Sequence, residues 1–154
     1  MPPAEGDAPR HLWVFSDGAC RGNPGPSGAG WVIQRADGQG LARGCLFLGR
    51  RTNNEAEYLA AAMGLEAALD LGATAVTLHA DSQLLIRQLA GTYQVRHPHM
   101  RPLHARILAL AGRLRGRLHL RHLPREHNQE ADAEANRAID EHLAGALSPC
   151  RQPC

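Results

Sequence analysis

At 154 residues and 44% hydrophobic content, the chain has the length for one domain with a substantial core and too little for two. The formal net charge is only +2, yet every one of the 17 basic residues is arginine, which excludes a P-loop built on a phosphate-binding lysine. Residues 1–10 (MPPAEGDAPR) are polar and proline-rich, lack the cationic start and apolar centre of a signal peptide, and no apolar run reaches membrane-spanning length; the expectation is a cytoplasmic protein that avoids the membrane.

The first ten residues read as a disordered segment, followed by apolar runs at about 11–18, 29–36 and 41–48. Asn23-Pro24-Gly25-Pro26 separates the first two as a hairpin turn, and Asp37-Gly38-Gln39-Gly40 separates the second from the third, so an antiparallel meander is predicted. The glycine-rich stretch FSDGACRGNPGPSGAG leads from strand into strand. A dinucleotide fingerprint would lead into a helix, and that reading fails. From Glu55 to Leu71 the period changes to helical, with Leu59, Met63, Ala67 and Leu71 on one face and Gly72 as the stop. A short strand Ala75–His79 follows, then a helix from about Ser82 to Ala90, a loop through Pro98, and a helix from about Pro102 to Leu114. A fifth strand at Leu118–Leu123, a last helix from Asn128 to about Ala144 and a tail at 145–154 complete the chain. The predicted class is α/β: a five-stranded mixed sheet, the first three strands antiparallel, the fourth and fifth parallel, flanked by helices.

Cys20, Cys45, Cys150 and Cys154 lack the paired spacings of a zinc site. Cys150 and Cys154 fall in the tail, where free thiols and a disulfide are both open. Between Ser82 and Arg125 there is no acid, but there are nine arginines together with His97, His99, His104, His119 and His122, a composition suited to a polyanion.

Four acids stand out, and each also has a structural reading. Asp81 suits the N-cap of the helix at Ser82; Glu57, three residues after Asn54, suits a capping box; Asp132 suits the first turn of the last helix; Asp17 suits an Asx turn at a strand end. Together, however, Asp17-Gly18-Ala19-Cys20-Arg21-Gly22-Asn23-Pro24-Gly25, Thr52-Asn53-Asn54-Glu55-Ala56-Glu57, Asp81-Ser82-Gln83 and Asn128-Gln129-Glu130-Ala131-Asp132 form an ordered set. On these motifs, over about residues 11–143, the chain resembles the ribonuclease H type 1 family.

The resemblance implies a ribonuclease H-like fold with a catalytic domain at 11–144, and an endonuclease that hydrolyses the RNA strand of RNA/DNA hybrids to 5′-phosphate and 3′-hydroxyl ends. It implies two Mg²⁺ ions, with Mn²⁺ as a substitute, held by Asp17, Glu57, Asp81 and Asp132, Asp17 bridging both. Oxygen ligands suit these hard ions. Glu55 is passed over because the motif's acid is the third residue after the second asparagine. Asn23, Asn53, Asn54 and Gln83 match positions that meet the 2′-hydroxyl that separates RNA from DNA. Thr52 matches a position holding a phosphate of the DNA strand, and Gly18 and Cys20 are carried over as further substrate-binding positions.

Two features depart from the pattern. The mobile histidine before the last aspartate is replaced by His122-Leu123-Pro124-Arg125-Glu126-His127, in which His127, nearest Asp132, is preferred over Arg125, a match to lysine-poor relatives, and His122, which sits in a strand. The family's basic protrusion is reduced to Gly91–Arg96, and no separate hybrid-binding domain is expected before residue 11. A related-fold 3′–5′ exonuclease would carry an acid where Ala19 stands, and a non-catalytic hybrid-binding module would have no use for all four acids. No obligate protein partner is inferred, and a monomer is expected.

Overall fold

The apolar runs pair into one mixed sheet, and the computed structural model describes residues 10–145 and the backbone of 151–153. Strands β1 (His11–Cys20), β2 (Gly25–Arg35) and β3 (Gly40–Arg51) form the antiparallel meander. β4 (Ala75–Ala80) lies parallel to β1, and β5 (Leu118–His122) parallel to β4. The five expected strands are therefore present, and a three-residue β6 (Arg151–Pro153), inside the expected tail, is added antiparallel to the edge of β3. The state of Cys150 and Cys154 lies outside the described residues, as do residues 1–9. Arg10, assigned by sequence to the disordered segment, is already tied down: its backbone N–H donates to Thr74 Oγ1 at 2.7 Å and its guanidinium to Leu71 O at 2.8 Å.

The meander strands are longer than their apolar runs. Asp17 was expected at a strand end, but β1 continues three residues to Cys20, and Gly25 and Pro26, expected in the turn, are the first residues of β2. Cross-strand pairing carries the polar stretch Asp17–Cys20 as a partner of Ser27–Gly30, which a hydrophobicity reading misses because these residues bury little apolar surface.

Among the described residues, four helices cover the sheet. α1 (Asn53–Asp70) packs on β1 and β2 and is buried around most of its circumference, with Ala56, Ala60, Ala61, Leu65 and Ala68 fully enclosed. α3 (Arg101–Gly112) packs against α1 through the fully buried Ile107. α2 (Gln83–Leu89) follows β4, and α4 (Gln129–Leu143) lies across β2 and β3. Gly28 and Gly30 let α4 sit directly on β2: a Cβ at Gly30 would come 2.3 Å from Ala131 O, and one at Gly28 2.2 Å from Ala135 O. These close approaches, and not phosphate binding, are what two of the glycines in the glycine-rich stretch serve. Among the described residues, no helix is long and apolar enough to cross a membrane.

Candidate metal centre

The parallel β1–β4 ladder ends at the pair Phe15–His79. Asp17 and Asp81 each stand two residues beyond that rung, so the two strands part and carry a carboxylate on either side of the opening. Glu57 enters from α1, and one oxygen from each of Asp17, Glu57 and Asp81 lies within 4.8 Å of the others. Asp132, from the first turn of α4, flanks this trio next to Asp17. The expected four acids thus meet in one cleft of about 530 Å³, lined also by Gly18, Cys20, Arg21, Asn53, Asn54, Ser82, Arg125 and Asn136.

The local chemistry removes the structural readings of three acids. At the start of α1, Thr52 is the N-cap, accepting from Glu55 N–H at 3.2 Å, and Glu55 returns a bond from Thr52 N–H at 3.0 Å. The capping box is therefore Thr52 with Glu55, not Asn54 with Glu57, and Glu57 is left to the cleft. Ser82, not Asp81, caps α2, its hydroxyl accepting from Leu85 N–H at 3.2 Å. Asp17 is 5% exposed in a paired strand and makes no turn.

Burial and mutual repulsion dominate the electrostatics. Asp17 is pushed up to about 10, first by burial, then by the charges of Glu57 and Asp81 and by the adjoining Asp132. Glu57 is pushed up to about 8 by burial and by Asp81, against the opposing pull of the Gly18 backbone N–H, Asp17 and Arg125. Among the described residues, Glu57 Oε2 is buried with no hydrogen-bond partner. Crowded carboxylates that resist ionisation, one with an orphaned oxygen, are an oxygen-only donor set that a hard divalent cation would satisfy.

Asn128 is a site residue whose role sequence reasoning did not resolve. It is 2% exposed, and its Nδ2 donates to Ser16 O at 2.9 Å and to Asp81 Oδ2 at 3.1 Å, fastening Asp81 to β1. Asn23 Oδ1 accepts from Asn53 N–H at 3.0 Å, which joins the glycine-rich turn to the start of α1. Gln83 is exposed at the first position of α2 and is not among the cleft-lining residues.

The loop residues are separated by the fold. Arg125 lines the acidic cleft. His127, the preferred residue by sequence, lines a different pocket with Phe15, Gln34 and Asn128, and His122 makes its contact with the backbone oxygen of Asp81 at 3.2 Å. The two residues stand two positions apart in the 3-10 turn Arg125–His127, so their side chains leave it in different directions.

A mixed sheet of this order, with carboxylates beyond the parting of β1 and β4, defines a ribonuclease H-like protein with an acidic, metal-binding type of centre. A family model described as reverse transcriptase-like matches residues 15–138. A ribonuclease HI from Halobacterium salinarum is 42% identical over 128 residues, 83% of this chain and 64% of that protein. The N-terminal RNase H domain of a Mycobacterium tuberculosis protein superposes with a TM-score of 0.81 at 40% identity, over 84% of this chain and 99% of that one. LC11-RNase H1, solved in complex with an RNA/DNA hybrid, gives 0.82 at 36% identity over 86% and 99%. This chain belongs to the ribonuclease HI family. It spans about two thirds or less of the full-length relatives: 64% of the halobacterial protein and 35% of the mycobacterial one.

Proposed function

We propose that this chain is an endoribonuclease that hydrolyses the RNA strand of RNA/DNA hybrids, leaving 5′-phosphate and 3′-hydroxyl ends. The observation that carries the reading is the meeting of Asp17, Glu57 and Asp81 within 4.8 Å, flanked by Asp132, in a cleft whose rim holds Asn53 and Asn54. The hybrid bound to LC11-RNase H1 supports the same class of substrate here.

Asp17, Glu57, Asp81 and Asp132 would hold two Mg²⁺ ions, with Mn²⁺ as a substitute. Bound there, such ions activate water and stabilise the leaving oxygen of an in-line displacement. The chain's own groups do the rest. Asn128 keeps Asp81 aimed into the cleft. Asn23, fixed through Asn53 N–H, together with the side chains of Asn53 and Asn54, presents uncharged donors and acceptors suited to 2′-hydroxyls. Thr52 accepts the capping bond through Oγ1, and its hydroxyl proton remains available to a phosphate oxygen of the DNA strand.

Arg125 supplies positive charge beside Glu57. An arginine cannot accept a proton at neutral pH, so its contribution is electrostatic, and the histidine-type proton relay expected from sequence has no counterpart in the cleft lining. Outside the cleft, the other eight arginines of the stretch from Ser82 to Arg125 are exposed, and among the described residues only Arg106 of that set forms an ion pair, with Glu66 at 3.1 Å. Arg87 also donates to the Tyr93 hydroxyl and Arg101 to Val95 O, and the positive charge of this acid-free stretch supports contact with phosphates.

End-labelled RNA/DNA hybrid, single-stranded RNA, duplex RNA and duplex DNA incubated with Mg²⁺ or with chelator test the reading. Expected is metal-dependent internal cutting of the RNA in the hybrid. Equal cutting of duplex DNA, or cutting in chelator, would overturn it.

A further inference from the structure

Asn136 lies one turn after Asp132 on α4, and its Nδ2 donates twice to that residue, to the backbone oxygen at 3.0 Å and to Oδ1 at 3.2 Å. Its Oδ1 accepts from Arg21 Nη2 at 3.3 Å, and the same Nη2 lies 2.7 Å from Asp140 Oδ1, one further turn along the helix. Arg21 belongs to the turn between β1 and β2, where its backbone N–H donates to Pro26 O at 2.9 Å. Asp132, Asn136 and Asp140 therefore form an i, i+4, i+8 ridge whose middle member is clamped from outside the helix.

The chemistry of the two neighbours determines which way the amide faces. A guanidinium offers only donors and a carboxylate only acceptors, so Oδ1 must face Arg21 and Nδ2 must face Asp132. The reversed amide would oppose like to like at both ends. With its backbone held by the helix and its amide held by Arg21, Asn136 offers a fixed donor that selects one orientation of Asp132. We infer that Asn136 is a positioning residue for the fourth carboxylate, held in its working orientation by Arg21, and that it raises the affinity of the centre for a divalent cation. The inference rests on the metal-centre reading above, and it does not depend on which nucleic acid is cut.

Residues that orient a ligand are typically worth about 10–100-fold in metal affinity or activity. Asp132 is one ligand among four, which places the expectation for Asn136→Ala at the lower end, about 10-fold. Asn136→Asp, of the same shape but offering only acceptors, should lose at least as much.

The experiment is calorimetric titration of Mn²⁺ into the protein without nucleic acid, for wild type, Asn136→Ala, Asn136→Asp and Arg21→Ala, with melting temperature in chelator as the check on folding. Expected is Mn²⁺ binding weakened about 10-fold in both Asn136 variants and less in Arg21→Ala, with melting in chelator close to wild type. Unchanged Mn²⁺ affinity in the Asn136 variants would overturn the inference, and so would an Asn136→Asp variant that binds as wild type does. Should the Asn136 variants fail to fold, Arg21→Ala decides it, because Arg21 is a surface residue outside the helix, and wild-type Mn²⁺ affinity there would count against the clamp. Hybrid cleavage by the wild type, measured alongside, separates the two ideas: weakened metal binding in the variants without hybrid cleavage by the wild type would retain the role of Asn136 and overturn the proposed activity.

Discussion

Gly18 and Glu57 hold each other in place across the β1–α1 contact. A Cβ at position 18 would stand 2.3 Å from Ala56 C and 2.5 Å from Glu57 N, and the Gly18 backbone N–H counters the upward push of burial on the Glu57 carboxyl. The missing side chain lets the helix backbone approach β1 closely enough for Glu57 to share a site with Asp17. Gly18→Ala must push α1 away, and overpacking of this kind costs about 1–3 kcal/mol. The expected outcome is a chemically less stable protein in urea and a loss of cleavage larger than the loss of stability accounts for, measured under conditions where the variant remains folded.

Asp17→Asn keeps the side-chain shape and removes one charge from the crowd formed with Glu57, Asp81 and Asp132. Most cleavage should disappear. In chelator the variant should melt at or above the wild-type temperature, in line with the trade between stability and activity at strained sites. The gap should narrow with added Mg²⁺, which relieves the same repulsion in the wild type. A variant that melts well below wild type in chelator would return Asp17 to a structural role.

The raised carboxyls also set a pH dependence. Asp17 and Glu57 hold their protons more tightly folded than unfolded, so between their ordinary values of 3.8 and 4.5 and their raised values of about 10 and about 8 the folded chain binds more protons. Their contribution to stability is therefore favourable at acid pH and is lost as pH rises through that window. His79 acts with the opposite sign. Burial lowers it, and the neutral ring bonds Val14 O at 3.1 Å, so its contribution is lost as pH falls below its ordinary value of 6.5. Urea unfolding in chelator from pH 5 to 9 should show the alkaline loss in the wild type and a smaller one in Asp17→Asn.

Arg125→Ala should lower turnover by about 10²-fold, the scale of removing one preorganised electrostatic contact, with little change in hybrid affinity. His127→Ala should stay within about threefold of wild type, because a proton-transfer group worth about 10²–10⁴-fold has to reach the reacting atoms. Single-turnover rates for the two variants decide between them, and the reverse ranking would restore the preference drawn from sequence.

Phosphate contacts by the exposed arginines should make hybrid binding weaken with salt at a slope of roughly −0.9 per phosphate neutralised on B-form DNA, with a hybrid behaving similarly. Arg96→Ala should reduce that slope by about 1 without altering the preference for hybrid over duplex DNA. Affinities measured across a salt series in Ca²⁺ check both; a salt-independent affinity would contradict the phosphate reading.

The sequence by itself determined the class and the order of the elements, and its motifs picked out the four acids that the fold brings into one cleft. Hydrophobic period, turn residues and spaced motifs are local properties written along the chain, and α1 could be read from Leu59, Met63, Ala67 and Leu71 alone. Only the tertiary structure decided what depends on neighbours far apart in sequence. It made the capping box from Thr52 and Glu55, where the sequence also allowed Asn54 with Glu57, and so left Glu57 no structural role outside the cleft. It extended β1 to Cys20 through pairing with β2, and it explained Gly18, Gly28 and Gly30 by the backbones that press on them. It put Arg125 in the lining of the acidic cleft and His127 in that of a second pocket, because a 3-10 turn rotates successive side chains by about 120° and nearness to Asp132 along the chain says nothing about direction. The Asn136 contact with Arg21 spans 115 positions, and no local pattern marks it. Proximity of that kind is produced by packing, which joins residues by shape and charge after the chain has folded and leaves no period in the sequence to read.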